Sequence, residues 1–330
     1  MEMKKTLLIV LGVLLLAGLL AGAYFTQKNT AEVAVENAGQ AEHGVELKRE
    51  ISHHGQTEKL RRQLRTVLFI GIDGEDEIPQ YGEDDLIPFI NYQQADFLML
   101  MVVDDINRKV ELIQINRDTM THVPWLGVTG EVGGYVYEQI ALSHNFGSGL
   151  KDSCVNTCNA VSRLLFKAPV DHYVMLSMGA VPVLNDAIGG VTVTIEDDLS
   201  GIDPTFVPGA TVTLMGDKSL SFVRARTGVG DGTNISRMRR QRAYMNGYIE
   251  QAKTAFAANA EILFETVECL GRYMLTDMST EAMAALTTSI STYEKMPIYT
   301  PAGEAVRGEE FMEFYPDTEA MWPEIKRILC

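Results

Sequence analysis

The run Thr66-Val-Leu-Phe-Ile-Gly-Ile-Asp73 predicts a β-strand, because it is apolar, rich in β-forming residues and ends in glycine and aspartate. Two further apolar runs follow, Phe97–Val103 and Lys109–Ile115, with Asp104–Arg108 between them as a hairpin turn. Strands that are apolar throughout are buried on both faces of a sheet. These runs therefore predict a central sheet that is covered on both sides.

The rest of the chain alternates between strand and helix patterns. Strands are predicted over Val170–Met175 and Val191–Ile195, and helices over Cys154–Phe166, Met178–Ile188, Ser236–Asn259, Ala260–Met274 and Thr280–Tyr293. Strands that alternate with helices indicate a three-layer α/β fold, in which we expect a mixed central sheet flanked by helices. The length of 330 residues and a hydrophobic content of 46% suit one large domain of this kind.

The N-terminal region carries a membrane signal. Thr6–Gln27 is uncharged and mostly apolar, and a helix of this length crosses the roughly 30 Å hydrocarbon core of a bilayer. Lys4 and Lys5 favour a cytoplasmic N-terminus, so we expect a single-pass anchor with the rest of the chain extracytoplasmic. The alternative is a cleaved signal peptide, since Ala21-Gly-Ala23 resembles a cleavage site. Both interpretations export the chain.

Four regions follow from these patterns. We expect a cytoplasmic stub and transmembrane anchor over residues 1–27, a stalk over 28–65, the main α/β domain over 66–260 and a helical portion over 261–330 that completes it. The stalk is polar and mixed in charge. Because a hydrated stalk is a poor metal site, we do not expect its histidines to take part in chemistry. They are His43, His53 and His54.

The charge and the cysteines exclude two classes of protein. With 28 basic and 44 acidic residues the net charge is −16, which argues against a nucleic-acid partner. The 4 cysteines are too few for a disulfide-framed small domain. Cys154 and Cys158 are one helical turn apart, and the sequence leaves open whether they form a local disulfide or a buried pair of thiols.

The arginines are unevenly distributed. The segment from 224 to 242 contains six of them: Arg224, Arg226, Arg237, Arg239, Arg240 and Arg242. A glycine-rich loop, Gly228–Asn234, lies between the two groups and leads into a helix. Arginine side chains, backbone N–H groups and a helix N-terminus all bind phosphate oxygens, so the segment predicts a pyrophosphate site. The alternative is a solvated helix whose arginines pair with acidic residues of the chain.

Acidic residues stand at the ends of the predicted strands. Asp73 ends the first strand, Asp96 opens the second, and Arg117 and Asp118 follow the third. Sites in open α/β sheets form at strand ends. Two carboxylates there would bind Mg²⁺, which in turn binds phosphate. Each aspartate taken alone could equally form a turn or a helix cap.

Several short motifs, in this order, resemble the LytR-CpsA-Psr family of membrane-anchored cell-wall proteins. They are Leu68-Phe-Ile-Gly-Ile-Asp73, Ala95-Asp-Phe-Leu-Met-Leu100, Ile115-Asn-Arg-Asp-Thr119, Asp171-His-Tyr-Val174, Ala187-Ile-Gly-Gly-Val191, Arg224-Ala-Arg226 and Arg237-Met-Arg-Arg-Gln241. The resemblance spans about residues 66–251. It implies a phosphotransferase that moves a glycopolymer, such as teichoic acid or capsular polysaccharide, from a polyprenyl-pyrophosphate carrier to peptidoglycan through a phosphodiester.

The resemblance also implies roles for individual residues. Asp73 and Asp96 would hold Mg²⁺ on the pyrophosphate, and Arg117, Arg224 and Arg226 would neutralise its oxygens. Arg237 and Gln241 would support them at the same pyrophosphate. An aspartate of the glycine loop, which we assign to Asp231, would be the base for the acceptor hydroxyl, so Asp231, Arg117 and Arg226 form the expected catalytic group. The lipid would occupy an apolar tunnel inside the fold.

Two departures from the family pattern leave alternatives open. The family usually has an arginine two residues before the second aspartate, where this chain has Gln94. The usual spacing for the loop aspartate falls on Asn234, with Asp231 three residues earlier. If Asn234 occupies the base position, the chain would be a non-catalytic protein that binds polyprenyl phosphate or wall polymer. A pyrophosphate-cleaving phosphohydrolase is the other alternative.

Overall fold

The computed structural model describes residues 49–79, 91–127, 130–225, 229 and 234–330. The predicted anchor and the predicted stalk up to residue 48 lie outside these described residues, and so do Arg226 and Asp231. Within the described ranges, no helix has both the length and the apolar character needed to cross a membrane.

The elements follow the predicted order. The strands are β1 (Glu50–His53), β2 (Gln56–Lys59), β3 (Leu64–Ile72), β4 (Ala95–Asp104), β5 (Lys109–Ile115), β6 (Met120–Leu126), β7 (Val132–Gln139), β8 (His172–Ser177), β9 (Val191–Thr194), β10 (Thr211–Leu214), β11 (Met274–Thr276), β12 (Glu294–Lys295), β13 (Gly303–Arg307) and β14 (Met312–Pro316). The helices are α1 (Lys151–Leu164), α2 (Ala180–Ala187), α3 (Asp217–Arg224), α4 (Asn234–Ala258), α5 (Ala260–Tyr273), α6 (Thr280–Ser291) and α7 (Thr318–Leu329), with a 3-10 helix at Ile140–His144. The five predicted helices and the first three predicted strands are confirmed.

The central sheet has the order β11-β8-β3-β4-β5-β12 in the described part of the chain. β4 is antiparallel to both β3 and β5, whereas β8 is parallel to β3. The sheet is therefore mixed, as predicted. The tight turn at Asp104–Arg108 makes β4 and β5 antiparallel, while β8 is reached through a longer connection that includes α1.

Helices cover both faces of this sheet. Alternate side chains of a strand point to opposite faces. In β3, Leu68 and Ile70 lie in an apolar cluster with residues of α1 and α7, whereas Val67 and Phe69 lie in a second cluster with residues of α6. Since consecutive residues of β3 are apolar, both faces must be buried, and a helical layer on each side does so.

The boundary predicted for the stalk is wrong after residue 48. Residues 50–59 form the β1–β2 hairpin, in which Ile51 is fully buried against the main core. Leu60 and Leu64 are buried beside it. These three apolar residues are scattered among charged ones, so no periodic pattern marks them as part of the folded domain.

Two predictions about strands need correction. The strand at Val191–Thr194 pairs with β10 in a separate hairpin instead of joining the central sheet. The portion after residue 260, predicted as helical, also supplies β11 and β12 to the edges of the central sheet and forms the β13–β14 hairpin. β11 and β12 are very short and β13 is exposed along its length. The alternation of apolar and polar residues that predicts a strand is therefore absent from them.

The alternatives for the cysteine pair are now resolved. Cys154 and Cys158 are buried free thiols on α1. Burial raises the pKa of both thiols, so they are packed as apolar groups and remain protonated at neutral pH.

Candidate active site

The candidate site lies at the edge of the sheet where β3 ends, β4 begins and β5 ends. Antiparallel pairing brings these three points together, with Ile72 opposite Ala95 and Leu98 opposite Ile115. Asp73 and Gln94 are joined across the first junction. The Asp73 N–H donates to the Gln94 carbonyl at 3.1 Å, and the Gln94 N–H donates to Asp73 Oδ1 at 2.7 Å. The residues predicted at strand ends are thereby brought to one place.

A buried ion-pair network forms the centre of the site. Asp96 accepts from Arg117 Nη1 at 2.5 Å through Oδ1 and from Arg237 Nη1 at 3.0 Å through Oδ2. The side chains of Arg237 and Asp96 are only 3% and 8% exposed. One carboxylate therefore orients two guanidinium groups. Asp118 is a second buried partner, because its Oδ1 lies 3.6 Å from Arg117 Nε, so two aspartates balance the two arginines.

Gln94 is part of this network, although the sequence analysis treated it only as a departure from the family pattern. Its side-chain oxygen accepts a hydrogen bond from Arg117 Nη2. An arginine in this position has no acceptor and could not make that bond. Gln94 therefore fixes the second arm of the Arg117 guanidinium.

Arg224 approaches the site from the end of α3. It pairs with Glu75, a residue that the sequence analysis missed, and its side chain is 38% exposed. Burial raises the pKa of Asp73, and the positive charge of Arg224 opposes that rise, so the guanidinium acts on the site. An incoming phosphate would compete with Glu75 for this partly exposed guanidinium. The only sequence signal for Glu75 is its position two residues after Asp73.

The four arginines of α4 have different partners, and three of them bind residues outside the Asp96 network. Arg239 and Arg240 pair with Asp197, and Arg242 donates to Gln114 at 2.5 Å. Arg239 and Arg240 pair with an acidic residue, as the alternative predicted, but Arg240 is buried and not solvated, and Arg242 binds an amide. Arg237 alone of the α4 arginines reaches Asp96.

Gln241 lies one turn after Arg237 and faces a different part of the site. It is buried, its amide donates to the Val223 carbonyl at 3.5 Å, and it lines an internal cavity. This hydrogen bond connects α4 to α3. It puts Gln241 between the charged network and the interior of the fold.

The base position cannot be assigned from the described residues, since Asp231 lies outside them. Asn234 is described and is almost fully buried at the start of α4. Its amide nitrogen donates to Asn116 Oδ1 at 2.7 Å, and Asn116 Oδ1 also accepts from the Asp118 N–H at 3.0 Å. Asn234 thus joins α4 to the loop after β5, so its contacts are structural.

Asp73 has the environment of a cation ligand. Burial raises its pKa, the N–H of Gln94 lowers it, and the negative charge of Asp96 raises it further. Two carboxylates that repel each other at a partly buried site are the arrangement that a divalent cation stabilises. Mg²⁺ commonly uses one or two carboxylates together with phosphate oxygens. Asp73 therefore suits Mg²⁺, whereas Asp96 could share the ion only by giving up part of its pairing with Arg117 or Arg237.

An apolar cavity of about 170 Å³ opens beside the network. Its walls come from the sheet, α2, α3 and α4, and include Phe97, Val174, Val181, Leu184 and Tyr248. Phe97 follows Asp96 in β4, and Gln241, which also lines the cavity, lies one helical turn after Arg237. The site thus combines an arginine-containing charged cluster with an apolar cavity.

Comparisons with known proteins identify relatives of this chain. The LytR_cpsA_psr family model matches residues 24–316. The polyisoprenyl-teichoic acid–peptidoglycan teichoic acid transferase TagU of Bacillus cereus (strain AH820) is 27% identical over 254 residues, which cover 76% of this chain and 72% of that protein. TagU of Bacillus anthracis (strain A0248) has the same identity and coverage.

Solved structures of similar proteins share the fold. The structure of TagT bound to LI-WTA superimposes with a TM-score of 0.58 at 19% identity, covering 81% of this chain and 90% of that one. B. subtilis TagU superimposes with a TM-score of 0.53 at 20% identity, covering 81% and 96%. Since the family model matches most of its length, this chain belongs to the LytR_cpsA_psr family.

Proposed function

We propose that this chain transfers a glycopolymer from a polyprenyl-pyrophosphate carrier to peptidoglycan and joins the two through a phosphodiester. The observation that carries this proposal is the buried Arg117–Asp96–Arg237 network beside an apolar cavity. A lipid pyrophosphate has the same two parts, an anionic head and an apolar chain. The TagU relatives, which are named as transferases of this class, support the same substrate.

The chemistry assigned to the chain is proton removal and charge neutralisation. Asp231 would take the proton of the acceptor hydroxyl, whose oxygen attacks the phosphorus that carries the glycan. The bond from that phosphorus to the bridging oxygen breaks, and polyprenyl phosphate leaves. Arg117, Arg224 and Arg226 would stabilise the negative charge on the phosphoryl oxygens, with Arg237 and Gln241 in support.

The proposed cofactor is Mg²⁺, held by Asp73 and Asp96. When bound, it would neutralise charge on the pyrophosphate oxygens. Asp73 carries a raised pKa in the chain alone, so a cation would also favour its ionised form.

The proposed location follows from the sequence of the N-terminal region. Thr6–Gln27 would anchor the chain in the cell membrane, with the N-terminus inside and the α/β domain outside. An extracytoplasmic domain of this kind would have access both to a membrane-borne lipid and to peptidoglycan.

A transfer assay on the full chain in detergent tests the function. The reaction would contain Mg²⁺ and a polyprenyl-pyrophosphate glycan, with or without a peptidoglycan oligomer. The products would be identified by mass spectrometry. We expect covalent attachment to the oligomer, lost in Asp231→Ala and Arg226→Ala. Asn234→Ala serves as the comparison. Loss of its hydrogen bond to Asn116 should lower the stability of the domain, but transfer should persist because Asp231 still accepts the proton.

The same assay separates the alternatives. Release of phosphorylated glycan regardless of the oligomer would identify a phosphohydrolase. Binding of the lipid with no product under any condition would identify a binding protein.

The cavity gives a separate prediction about lipid binding. Val181 on α2 lines the cavity, so Val181→Trp would fill it and is expected to weaken binding of a polyprenyl pyrophosphate at least about tenfold. Val183 lies on the same helix and is exposed, so Val183→Trp is the matched control and should bind normally. Equilibrium binding of a fluorescent polyprenyl pyrophosphate measures both. Equal affinity in the two variants would show that the lipid lies elsewhere.

A further inference from the structure

The turn between β1 and β2 places two histidines side by side. His53 pairs with Gln56 across the hairpin, so His54 and Gly55 form a two-residue loop, and both have positive φ, 47° and 80°. This is the backbone of a type I′ turn, in which asparagine is a common first residue. The left-handed backbone folds His54 back, and its ring centroid lies 4.1 Å from that of His53. In a regular strand the two rings would point to opposite faces.

Both imidazoles meet one carboxylate on helix α7. Glu319 Oε1 lies 3.2 Å from His53 Nε2 and 3.0 Å from His54 Nε2. Among the described residues, this is the group of three metal-ligating side chains whose donor atoms all lie within 4.8 Å of one another.

The surrounding structure holds two of the three groups in place. The His53 ring packs between Phe166 and Trp322, with centroid separations of 4.7 Å and 5.5 Å. Glu319 lies in the first turn of α7, which Asp317 caps by accepting from the Ala320 N–H at 2.9 Å. A hairpin turn, an aromatic contact and a helix cap thus position the backbones of the three residues, while the side chains of His54 and Glu319 are each 73% exposed.

We propose that His53, His54 and Glu319 form a binding site for a divalent transition-metal ion, with Zn²⁺ as the best fit. Ligand atoms about 2.0–2.1 Å from a tetrahedral zinc ion lie roughly 3.3 Å apart, close to both nitrogen–oxygen distances observed. On binding, each Nε2 gives a lone pair to the metal and its proton moves to Nδ1. Two imidazoles exclude Mg²⁺ and Ca²⁺, which prefer oxygen ligands.

The site leaves one coordination position open and joins two distant parts of the chain. Three protein ligands in a tetrahedral site leave the fourth to water or another ligand. The bound metal would fasten the β1–β2 hairpin, which adjoins the predicted stalk, to α7. The proposed zinc site is independent of the proposed transfer reaction, because none of its three residues belongs to the Asp96 network.

Zinc titration of the full chain in detergent tests the proposal. After removal of metal with a chelator, Zn²⁺ would be added in competition with a chromophoric chelator. We expect one ion per chain with micromolar affinity, weakened at least about tenfold in His54→Asn and in Glu319→Gln. His54→Asn retains a residue that accepts the left-handed backbone, so the hairpin should persist. His122→Asn removes an exposed histidine away from the site and should bind like the wild type.

A second measurement reports the location of the ion directly. In a Trp125→Phe background Trp322 is the remaining tryptophan, and Cu²⁺ bound at His53 would quench its fluorescence. We expect the quenching to be lost in His54→Asn. Unchanged zinc affinity in both ligand variants would overturn the proposal. So would an equal loss in His122→Asn, or the absence of zinc binding below about 1 mM, which would leave a histidine–glutamate ion pair.

Discussion

Arg224→Gln is expected to lower the rate of glycopolymer transfer by about 10²–10³-fold while the domain stays folded. The guanidinium is partly exposed and pairs with Glu75 in the chain alone. Burial raises the pKa of Asp73 and the charge of Arg224 opposes that rise, so Arg224 acts at the place where we propose that the pyrophosphate binds. Glutamine is shorter and uncharged, so it removes both the positive charge and the two-pronged hydrogen bonding of the guanidinium.

The chain offers a close control for this variant. Arg272 pairs with Glu77 at 2.7 Å and is similarly exposed, but it belongs to α5 and does not act on Asp73. Exposed ion pairs contribute about 0.2–1 kcal/mol, so Arg224→Gln and Arg272→Gln should each shift the melting temperature by only a few degrees. The proposal requires that transfer falls in the first variant alone. Retained activity in Arg224→Gln, or an equal loss in both, would contradict it.

The core of this fold could be predicted because the signal for it is local. β3, β4 and β5 are apolar over most of their length, and the turn at Asp104–Arg108 lies between two of them. Each strand ends near a charged residue, and antiparallel pairing then places Asp73, Asp96 and Arg117 at one edge. Adjacent strand ends were enough to predict that these side chains meet.

The contacts within the site could not be predicted, because they join residues far apart in the chain. Nothing in the local sequence distinguishes Arg237, which reaches Asp96, from Arg239 and Arg240, which pair with Asp197. The direction of each side chain on α4 depends on how the helix packs across β9 and α3. The same applies to Gln94, whose partner Arg117 is 23 residues away.

The hairpin β1–β2 shows a different limit. Its residues are mostly polar and belong to the segment 28–65 that follows the predicted anchor, so composition alone favours a stalk. The hairpin nevertheless packs on the domain through a few buried side chains, chiefly Ile51. With the hairpin folded, His53 and His54 no longer belong to a hydrated stalk, and the reason for excluding them as ligands no longer applies.

Asp96→Asn is expected to destabilise the domain by about 3–5 kcal/mol and to abolish transfer. Asp96 is the shared anionic partner of Arg117 and Arg237, and the network is buried. A neutral amide would leave two guanidinium groups with only a weak acceptor between them. Asp105→Asn is the matched control, because Asp105 pairs with Arg65 near the opposite end of β4 in a more exposed setting. Urea unfolding of the full chain should show a smaller loss for this control than for Asp96→Asn, because its bonds to Arg65 and Tyr293 are partly exposed to water.

Asp73→Asn separates the metal role from the structural one. The amide oxygen can still accept from the Gln94 N–H, and removal of the charge ends the repulsion by Asp96, so the free energy of unfolding should change by less than about 1 kcal/mol. With farnesyl pyrophosphate as the probe, Mg²⁺ should raise the melting temperature of the wild type, because it would bind the native state together with the pyrophosphate. The variant should lose that increase. If Mg²⁺ stabilised Asp73→Asn as strongly as the wild type, Asp73 would not be a ligand, and the raised pKa of its carboxyl would reflect burial and the charge of Asp96 alone.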